Sequence, residues 1–490
     1  MQSVKLARPR LSSPATFALT SLALLLGCAG DKVIEPTGPT ISVCHFSASL
    51  GTATDIPLAD LAAHKSHGDY VTHLDVSGTA VTGDGMHFTR VTDAVAAARD
   101  IRVAHSELET AACRITIAVA KGVLPGSTPP STDAAFERFP IVIDVPDITV
   151  KGALKMLLDA DGRATGNGEG GDATIFAPSP ALVVGAGGSQ VSSSEPIFIV
   201  NAHPTGSRGD GAVIEGFVFR SGRDSTASVN GGQAVFSMRV RDLVIRGNKF
   251  ETGLTEVVDL RASTAVVERN HLSGNANSCD ICISGPGDYT VRDNRLMGPG
   301  GLPGILSTPT QVLPVPTVVE QYTLPASALV TASITNNEVR GHVSKPVGAG
   351  IRVGAMSLGA QNVINASKVT ITKNNLVGNT FGVIIDAAFP VAGSTLRGDI
   401  DVNMSGNTIT RSCQNDLLVS FTRHQSGLGL TSPFPSYLRN STYAFTLGSE
   451  ISWDSAWVAH APGFGNTLLV NGQTMANVNR TAYDPTRVCP

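Results

Sequence analysis

A recurrent asparagine is the feature that most constrains how this chain of 490 residues can fold. In six short segments, two variable positions separate an apolar residue from an asparagine, and a second apolar residue follows two places later. The six asparagines are Asn248, Asn270, Asn294, Asn337, Asn374 and Asn407. The shortest spacing is 22 residues, and the longer spacings indicate insertions. A repeat of this length predicts the stacked coils of a solenoid and not a single compact core.

Composition favours a β-rich chain with many turns. Glycine occurs 51 times and proline 28 times, whereas aromatic residues make up 5% and charged residues 16% of the chain. Frequent turn residues with few bulky side chains are typical of short strands joined by bends. A hydrophobic fraction of 42% is too high for a disordered chain. The formal net charge of −4, without a basic run, argues against nucleic-acid binding.

Short alternating strands accompany each asparagine. The alternation of apolar and polar residues stops at Gly, Asn or Asp, and a second strand follows about ten residues later. This order predicts one coil per repeat, with each coil rising by about 4.8 Å, the distance between paired strands. Asparagine suits a fixed turn because it tolerates the left-handed backbone conformation. Its side-chain amide can also bond to the asparagine of the next coil.

A helix is predicted before the first coil. Apolar residues recur at helical spacing from Val91 to Ile101, and Thr89 or Thr92 can cap the helix at its N-terminus. Strands follow directly after it. A helix in this position can cover the open end of a solenoid, where an uncovered edge would expose unpaired backbone groups.

These segments together resemble the right-handed parallel β-helix superfamily, which includes pectate lyases and pectin methylesterases. The resemblance covers residues 86–425 and rests on FTRVTDAVAAA, ITIAVAKGV, ITVKG, VIEGFVF and the asparagine repeat. It implies an all-β fold, namely a right-handed parallel β-helix solenoid with an N-terminal capping helix and a small N-terminal module. Residues 426–490 are then expected to form a C-terminal cap.

The N-terminus has the pattern of an export signal. A basic stretch with Lys5, Arg8 and Arg10 precedes an apolar run at 17–26 that is too short to span a bilayer. The run ends in LLGC, which resembles a bacterial lipobox with Cys28 as the lipidated residue. We therefore expect a lipoprotein signal peptide at 1–27, a tether at 28–40, and a bacterial outer-membrane or cell-surface protein anchored only by its acyl chains. The alternative is an ordinary secretory signal.

An even number of cysteines remains after Cys28. They are Cys44, Cys113, Cys279, Cys282, Cys413 and Cys489. In an exported chain this number suggests disulfides, and the sequence leaves fifteen pairings open. The Cys279-x-x-Cys282 pair has no second such pair beside it, which argues against a zinc site there.

The segment 41–75 is expected to be a separate small module. It resembles a short extracellular bacterial motif that begins with Cys-His and continues with Ala-His-x-x-His-Gly-Asp. Cys44 lacks the motif's usual partner, and Cys113 is a candidate replacement. His64 and His67 lie one helical turn apart, and with His45 or Asp69 they could bind a transition metal. The alternative is a disulfide-tied cap in which these histidines bond to the backbone.

Charged residues recur on the second strand of several coils. If Val258 and Leu260 point inward, Asp259 and Arg261 point outward, because side chains alternate along a strand. The same alternation predicts that the outward face also carries Asp280, Arg352 and Asp386. Pectate lyases use such a face, with carboxylates that hold calcium and an arginine that abstracts a proton. Hydrolases of this fold use clustered aspartates as acid and base.

The resemblance therefore implies a candidate catalytic cluster of these five residues, with a calcium ion if the reaction is a lyase reaction. The alternative is that the charges keep an exposed face soluble. We expect an exported, lipid-anchored protein that binds a polysaccharide along the helix face, at the cell surface or in the periplasm. One rival function is a polysaccharide lyase or glycoside hydrolase, and the other is a structural or adhesive surface protein. The glycan, the coil register and the oligomeric state stay open.

Overall fold

Three long β-sheets make up most of the described chain. The computed structural model describes residues 39–47, 50–77, 85–105, 111–127, 137–138, 140–169, 174–178, 182–184, 190–192, 196–201, 209–220, 233–251, 256–273, 279–298, 303–308, 327–343, 348–355, 364–387, 397–420, 442–447, 456–459, 467–470 and 473–474. Most neighbouring strands within a sheet come from successive coils and pair in parallel, whereas Thr467–Val470 and Gln473–Thr474 pair antiparallel. The chain visits all three sheets before it pairs with the previous coil.

The first sheet has fourteen strands, in the order His87–Phe88, His73–Val76, Ile115–Val119, Ile148–Lys151, Val213–Glu215, Leu243–Arg246, Ala265–Glu268, Gly287–Arg292, Ser327–Thr335, Ile364–Thr372, Arg397–Ser405, Thr442–Leu447, Thr467–Val470 and Gln473–Thr474. The second has ten, in the order Glu137–Arg138, Gly122–Ser127, Thr174–Pro178, Phe217–Phe219, Lys249–Phe250, His271–Ser273, Arg295–Met297, Glu338–Arg340, Asn375–Val377 and Thr408–Thr410. The third has ten, in the order Ile141–Ile143, Phe198–Asn201, Val235–Met238, Val258–Arg261, Ile281–Ser284, Ile305–Thr308, Ala349–Ala355, Phe381–Ala387, Asn415–Ser420 and Ala456–Ala459.

The fold is a right-handed parallel β-helix. Inward side chains of successive coils stack into one core. In the third sheet Val258, Ile281 and Ile305 are register partners and fully buried. In the second sheet the rings of Phe219 and Phe250 stack with their centroids 4.8 Å apart. The expected fold class is confirmed.

The six repeat asparagines form a continuous buried ladder. From Asn248 to Asn374 the side-chain amide donates both to a carbonyl of the preceding coil and to the asparagine of the next coil. Asn270, for example, donates from Nδ2 to the Ile245 carbonyl at 2.9 Å and to Asn294 Oδ1 at 3.0 Å. Its own backbone N–H also donates to Asn294 Oδ1. The predicted bonding between asparagines of successive coils is therefore confirmed.

The left-handed position of this turn differs from the expectation. It belongs to the residue before each asparagine and not to the asparagine itself. Those residues are Gly247, Arg269, Asp293, Asn336, Lys373 and Gly406, all with φ between 54° and 63°. The asparagine itself does not adopt the left-handed conformation. Its side-chain amide points into the coil, where it bonds to buried backbone groups that need partners.

The capping helix spans Val91–Ala104 and covers the N-terminal end of the core with Val91, Ala94, Val95 and Ala98. No threonine caps it. The Glu137 carboxylate accepts the backbone N–H of Val91 at 2.7 Å and of Thr92 at 3.1 Å instead. A carboxylate at a helix N-terminus also interacts favourably with the helix dipole.

Neither of the two α-helices in the described residues is long and apolar enough to cross a membrane.

The N-terminal module is an antiparallel sheet of Leu50–Pro57, Thr40–Ser47 and Tyr70–Val71, in that order, with a 3₁₀ turn Leu58–Asp60 and a short helix Leu61–Ser66. A disulfide joins Cys44 to Cys113, the last residue of the 3₁₀ turn Ala111–Cys113. The strand that follows this antiparallel sheet in the chain, His73–Val76, already belongs to the first long sheet. The expected module at 41–75 therefore overlaps with the solenoid at this strand. At the other end, Thr442–Leu447 and Ala456–Ala459 continue two sheets past residue 425.

Two antiparallel hairpins project from the coils. One comprises Lys155–Leu158 and Ala164–Glu169, and the other comprises Leu182–Val184 and Gln190–Ser192.

Several sequence predictions lie outside the described residues, among them the signal peptide, Cys28 and the tether up to residue 38. Cys279 and Cys282 form a second disulfide, and Cys413 is also disulfide-bonded, while Cys489 lies outside the described residues.

Candidate functional site

Asp259 and Arg261 form an ion pair on the third sheet. Arg261 donates to Asp259 Oδ2 from Nε at 2.9 Å and from Nη2 at 2.6 Å. The Arg261 guanidinium also lies over the ring of Phe236 in the preceding coil, with Cζ 5.1 Å from the ring centre. Charge and ring contacts together hold the arginine side chain in one orientation. These two members of the expected cluster are in contact.

Asp259 shares its surroundings with a second carboxylate. Asp259 is only 2% exposed, and Gln233 Nε2 donates to Asp259 Oδ2 at 2.9 Å and to Glu256 Oε2 at 2.6 Å. Burial raises the pKa of Asp259 to about 7, although the Arg261 charge acts to lower it; the Glu256 charge adds to the rise. A carboxyl group with this pKa holds a proton near neutral pH and can donate it to a neighbouring carboxylate.

The carboxylate pair does not have the geometry of a glycoside hydrolase. Asp259 and Glu256 are hydrogen-bonded to each other. Hydrolytic pairs stand about 5 to 9.5 Å apart, because a sugar ring or a water must fit between them. Beside the pair, Cys282 is the register partner of Asp259, and its sulfur is oxidised in the disulfide with Cys279. The two sulfurs therefore offer no thiolates to a metal, although they lie within 4.8 Å of a Glu256 oxygen.

Asp280 is turned away from the expected face. It is buried, and its Oδ2 lies 3.4 Å from His342 Nε2, which is buried as well. Asp280 precedes the strand Ile281–Ser284, at a corner of the coil where the alternation of the strand no longer applies. The prediction of an outward Asp280 was wrong for this reason.

The other two residues of the expected cluster lie further along the helix axis. Arg352 occupies the same register position as Asp259, three coils away, which corresponds to about 14 Å. Arg352 is buried. Asp386 lies on the next strand, Phe381–Ala387, one coil further. The five residues therefore lie on four coils within a span of five, and Asp259 and Arg261 are in contact.

The outward face of the third sheet is largely apolar. Phe236 and Met238 are buried in one apolar cluster, and Ile384 and Leu418 are buried in another. This face is not the solvated row of charges expected from sequence. Within the described part of the chain, Asp259, Arg261, Asp280 and Arg352 belong to no group of three side chains that could hold a metal ion. A lyase-type calcium site does not fit these residues.

The predicted metal residues of the N-terminal module are brought together in part. Nδ1 of His45 lies 2.8 Å and Nδ1 of His64 lies 2.6 Å from Asp69 Oδ2. His67 does not join them, because the helix Leu61–Ser66 ends before it and leaves its side chain exposed.

A second feature, missed by sequence reasoning, is a hairpin that lies along the solenoid. We call Lys155–Leu158, Ala164–Glu169 and the turn between them the arm. Its turn contacts coils far along the chain: Asp159 pairs with Arg295 at 2.7 Å, and Arg163 donates to Asn336 Oδ1 at 3.0 Å. The arm thus runs over the corner of five successive strands of the first sheet, from Val213–Glu215 to Ser327–Thr335.

The arm packs closely on the coils beneath it. Gly166, with φ of 83°, lies against the imidazole of His271, and a Cβ there would come within 2.6 Å of the ring. Burial and the positive charges of Lys249 and Arg295 lower the pKa of His271 to about 4. His271 is therefore neutral at physiological pH and serves as a packing surface for the arm. The turn residues Asp159 to Gly162 between two short strands are the sequence signal that could have revealed this hairpin.

A groove of about 370 Å³ lies between the arm and the first sheet, and ligand sites are typically of roughly 300–1,000 Å³. We call it the arm groove. Its basic lining consists of Lys151, Lys155, Arg246 and Arg269. Its acidic lining is Glu215, which pairs with Arg246 at 2.5 Å and with Lys151 at 3.6 Å. Its apolar lining includes Leu154, Met156 and Leu158. Lys155 is paired as well, with Glu169 at 2.8 Å. The four basic side chains still outnumber these two carboxylates, so the groove is locally positive in a chain whose formal net charge is −4.

Comparison with known proteins gives likeness in fold only. No protein-family model and no curated protein matches the chain in sequence. Among solved structures, a DFA-IIIase mutant from Arthrobacter chlorophenolicus is 13% identical, with 81% of this chain and 84% of that chain covered and a TM-score of 0.38. Carrot pectin methylesterase is 12% identical over 81% and 87%, with a TM-score of 0.34. An Azotobacter vinelandii mannuronan C-5 epimerase A-module is 14% identical over 81% and 94%, with a TM-score of 0.31. Likeness at this level carries no argument about activity.

Proposed function

We propose that this protein binds an acidic polysaccharide in the arm groove. The observation that carries the proposal is the composition of the groove, in which four basic side chains face one acidic side chain within a chain of net negative charge. Local positive potential in a concave site concentrates anionic ligands. The class of ligand is a polymer with carboxylate or sulfate groups, such as a polyuronate.

The lining suits both faces of such a polymer. Arg246 and Arg269 present guanidinium groups, whose donor pairs match a carboxylate or sulfate in bidentate fashion. Lys151 and Arg246 are two coils apart, which corresponds to about 10 Å along the helix axis. Met156 and Leu158 on the arm offer apolar surface to the C–H faces of sugar rings.

The arm is held in place before any ligand arrives. Its ion pair to Arg295 and its bonds to Asn336 fix the far wall of the groove. A wall that is already ordered loses little conformational entropy on binding, so more of the contact energy is retained as affinity. The lipobox at Cys28 supports the further proposal that the groove is displayed on an outer membrane or cell surface, held by acyl chains.

Binding is tested by substitution of the two arginines of the groove. We expect Arg246→Ala/Arg269→Ala to weaken binding to polygalacturonate or alginate about 100-fold, because two charge-assisted hydrogen bonds of about 1.5 kcal/mol each are lost. Calorimetric titration or affinity electrophoresis measures this change. We also expect the affinity of the unaltered protein to fall as salt is raised, because the contacts are ionic.

The matched control is Lys373→Ala. Lys373 is an exposed basic residue that stands before a ladder asparagine with φ of 57°, as Arg269 does with φ of 54°, but it lies outside the groove. This control should bind as the unaltered protein does. Equal losses in the two variants, or equal binding to a neutral glucan, would contradict the proposal. Failure to bind any glycan would leave a structural or adhesive surface role.

A further inference from the structure

Three metal-ligating side chains converge in the N-terminal module. The Nδ1 atoms of His45 and His64 both point at Oδ2 of Asp69, at 2.8 and 2.6 Å. The three ligand atoms all lie within 4.8 Å of one another. The two imidazole rings meet edge to face with their centroids 5.6 Å apart. Both rings therefore direct nitrogen lone pairs or N–H groups toward one point.

Each of the three residues is held by a different, well-fixed element. His45 follows Cys44 on the strand Thr40–Ser47, and the disulfide to Cys113 ties that strand to the solenoid. His64 lies in the helix Leu61–Ser66. Gly68, at φ of 92°, lies two residues beyond the end of the helix, and the backbone N–H of Asp69 returns to the His64 carbonyl at 3.2 Å. This left-handed glycine end sets the position of Asp69 relative to His64.

The exposed fractions of the three side chains would leave a bound ion accessible to solvent. The Asp69 side chain is 1% exposed, whereas His45 is 47% and His64 is 27% exposed. The carboxylate thus forms the floor of the cluster and the imidazoles form its rim. An ion bound by all three would keep its remaining coordination positions toward solvent.

We propose that His45, His64 and Asp69 bind a divalent transition metal of the zinc class. Two imidazole nitrogens and one carboxylate oxygen are ligands for zinc, copper, nickel or iron, and not the all-oxygen set preferred by calcium or magnesium. In a tetrahedral zinc site with bonds of about 2.0–2.1 Å, ligand atoms lie about 3.3 Å apart. A small outward rotation of the two partly exposed imidazoles opens that space.

The proposal is tested on the mature, oxidised full-length chain after treatment with a chelator. Calorimetric titration with Zn²⁺ should show one ion per chain, and Co²⁺ should give a visible absorption band of a four- or five-coordinate site. We expect His64→Ala and His45→Ala to weaken Zn²⁺ binding about 100-fold or more, since loss of a ligand costs at least as much as loss of the groups that orient it. Circular dichroism and an intact Cys44–Cys113 disulfide report whether the variants are folded.

Two controls distinguish Zn²⁺ binding at this site from binding of Zn²⁺ by other histidines of the chain. His67→Ala removes an exposed histidine next to the cluster. His73→Ala/His87→Ala removes one exposed and one half-buried histidine that flank Asp75, with Nε2 atoms at 3.1 and 3.7 Å from its oxygens. Both variants should bind Zn²⁺ with unchanged affinity. Absence of Zn²⁺ binding to the unaltered protein, retained binding in folded His64→Ala, or loss in either control would overturn the proposal.

Discussion

Replacement of Asn374 by alanine is expected to destabilise the solenoid by roughly 3–9 kcal/mol. Asn374 is buried in the ladder, where its Oδ1 accepts the backbone N–H of Asn337 at 2.9 Å and the Asn337 side-chain amide at 3.0 Å. Its Nδ2 donates to the Ile334 carbonyl at 2.8 Å. In the alanine variant the backbone N–H and the side-chain amide of Asn337 and the carbonyl of Ile334 stay buried but lose their bond to Asn374. Each loss costs about 1–3 kcal/mol of unfolding free energy.

The neighbouring residue provides the control for this prediction. Asn375 begins the strand Asn375–Val377 and is half-buried, whereas Asn374 is 1% exposed. Asn375→Ala should change stability by about 0.5 kcal/mol or less, as is usual for substitutions outside the core. Urea unfolding followed by circular dichroism compares the two variants. Similar midpoints for both would mean that the ladder does not stabilise the coils.

The second large effect concerns pH. We expect the stability that Asp259 contributes to decline between about pH 4 and pH 7. The folded-state pKa of Asp259 is about 7, raised by burial, whereas an unfolded aspartate titrates near pH 3.9. Between these values the folded chain binds the proton and the unfolded chain releases it. Stability is therefore greatest below the unfolded pKa, falls as pH rises, and levels off above the folded pKa.

Asp259→Asn should remove this dependence, because an amide stays neutral at every pH. At 1.36 kcal/mol per pKa unit, the difference in unfolding free energy between the unaltered protein and the variant should fall by roughly 4 kcal/mol across this range. Urea midpoints at pH 4, 5.5 and 7.5 give the difference. Asp401→Asn, at an exposed carboxylate, is the control and should show no such slope. A difference that rises with pH would show that the ion pair with Arg261 outweighs burial.

The repeat in the sequence was sufficient to predict the architecture. The spacing of Asn248, Asn270 and Asn294 reports directly on coil length, because each asparagine bonds only to those of adjacent coils. Local alternation also placed Asp259 and Arg261 side by side. These are short-range regularities, and short-range regularities are what a sequence pattern contains.

The features that the sequence did not predict correctly all depend on contacts between residues far apart in sequence. The orientation of Asp280 depends on a corner that His342 fills, and the helix cap comes from Glu137, 46 residues beyond the helix start. The arm groove depends on where the turn of the arm docks, through Arg163 and Asn336, which are 173 residues apart. No periodicity encodes such contacts, because each occurs once.

The arm also bears on how the solenoid unfolds. In a repeat protein each coil touches only its neighbours, so coils can fray one after another from an end. The arm is covalently attached beside Lys151 and bound at Arg295 and Asn336, so it joins coils that have no direct contact with each other. Fraying that reaches Asn336 must detach the arm before it can proceed. The central coils are therefore expected to open as one cooperative block, and a ligand held under the arm would protect that whole block from hydrogen exchange and proteolysis.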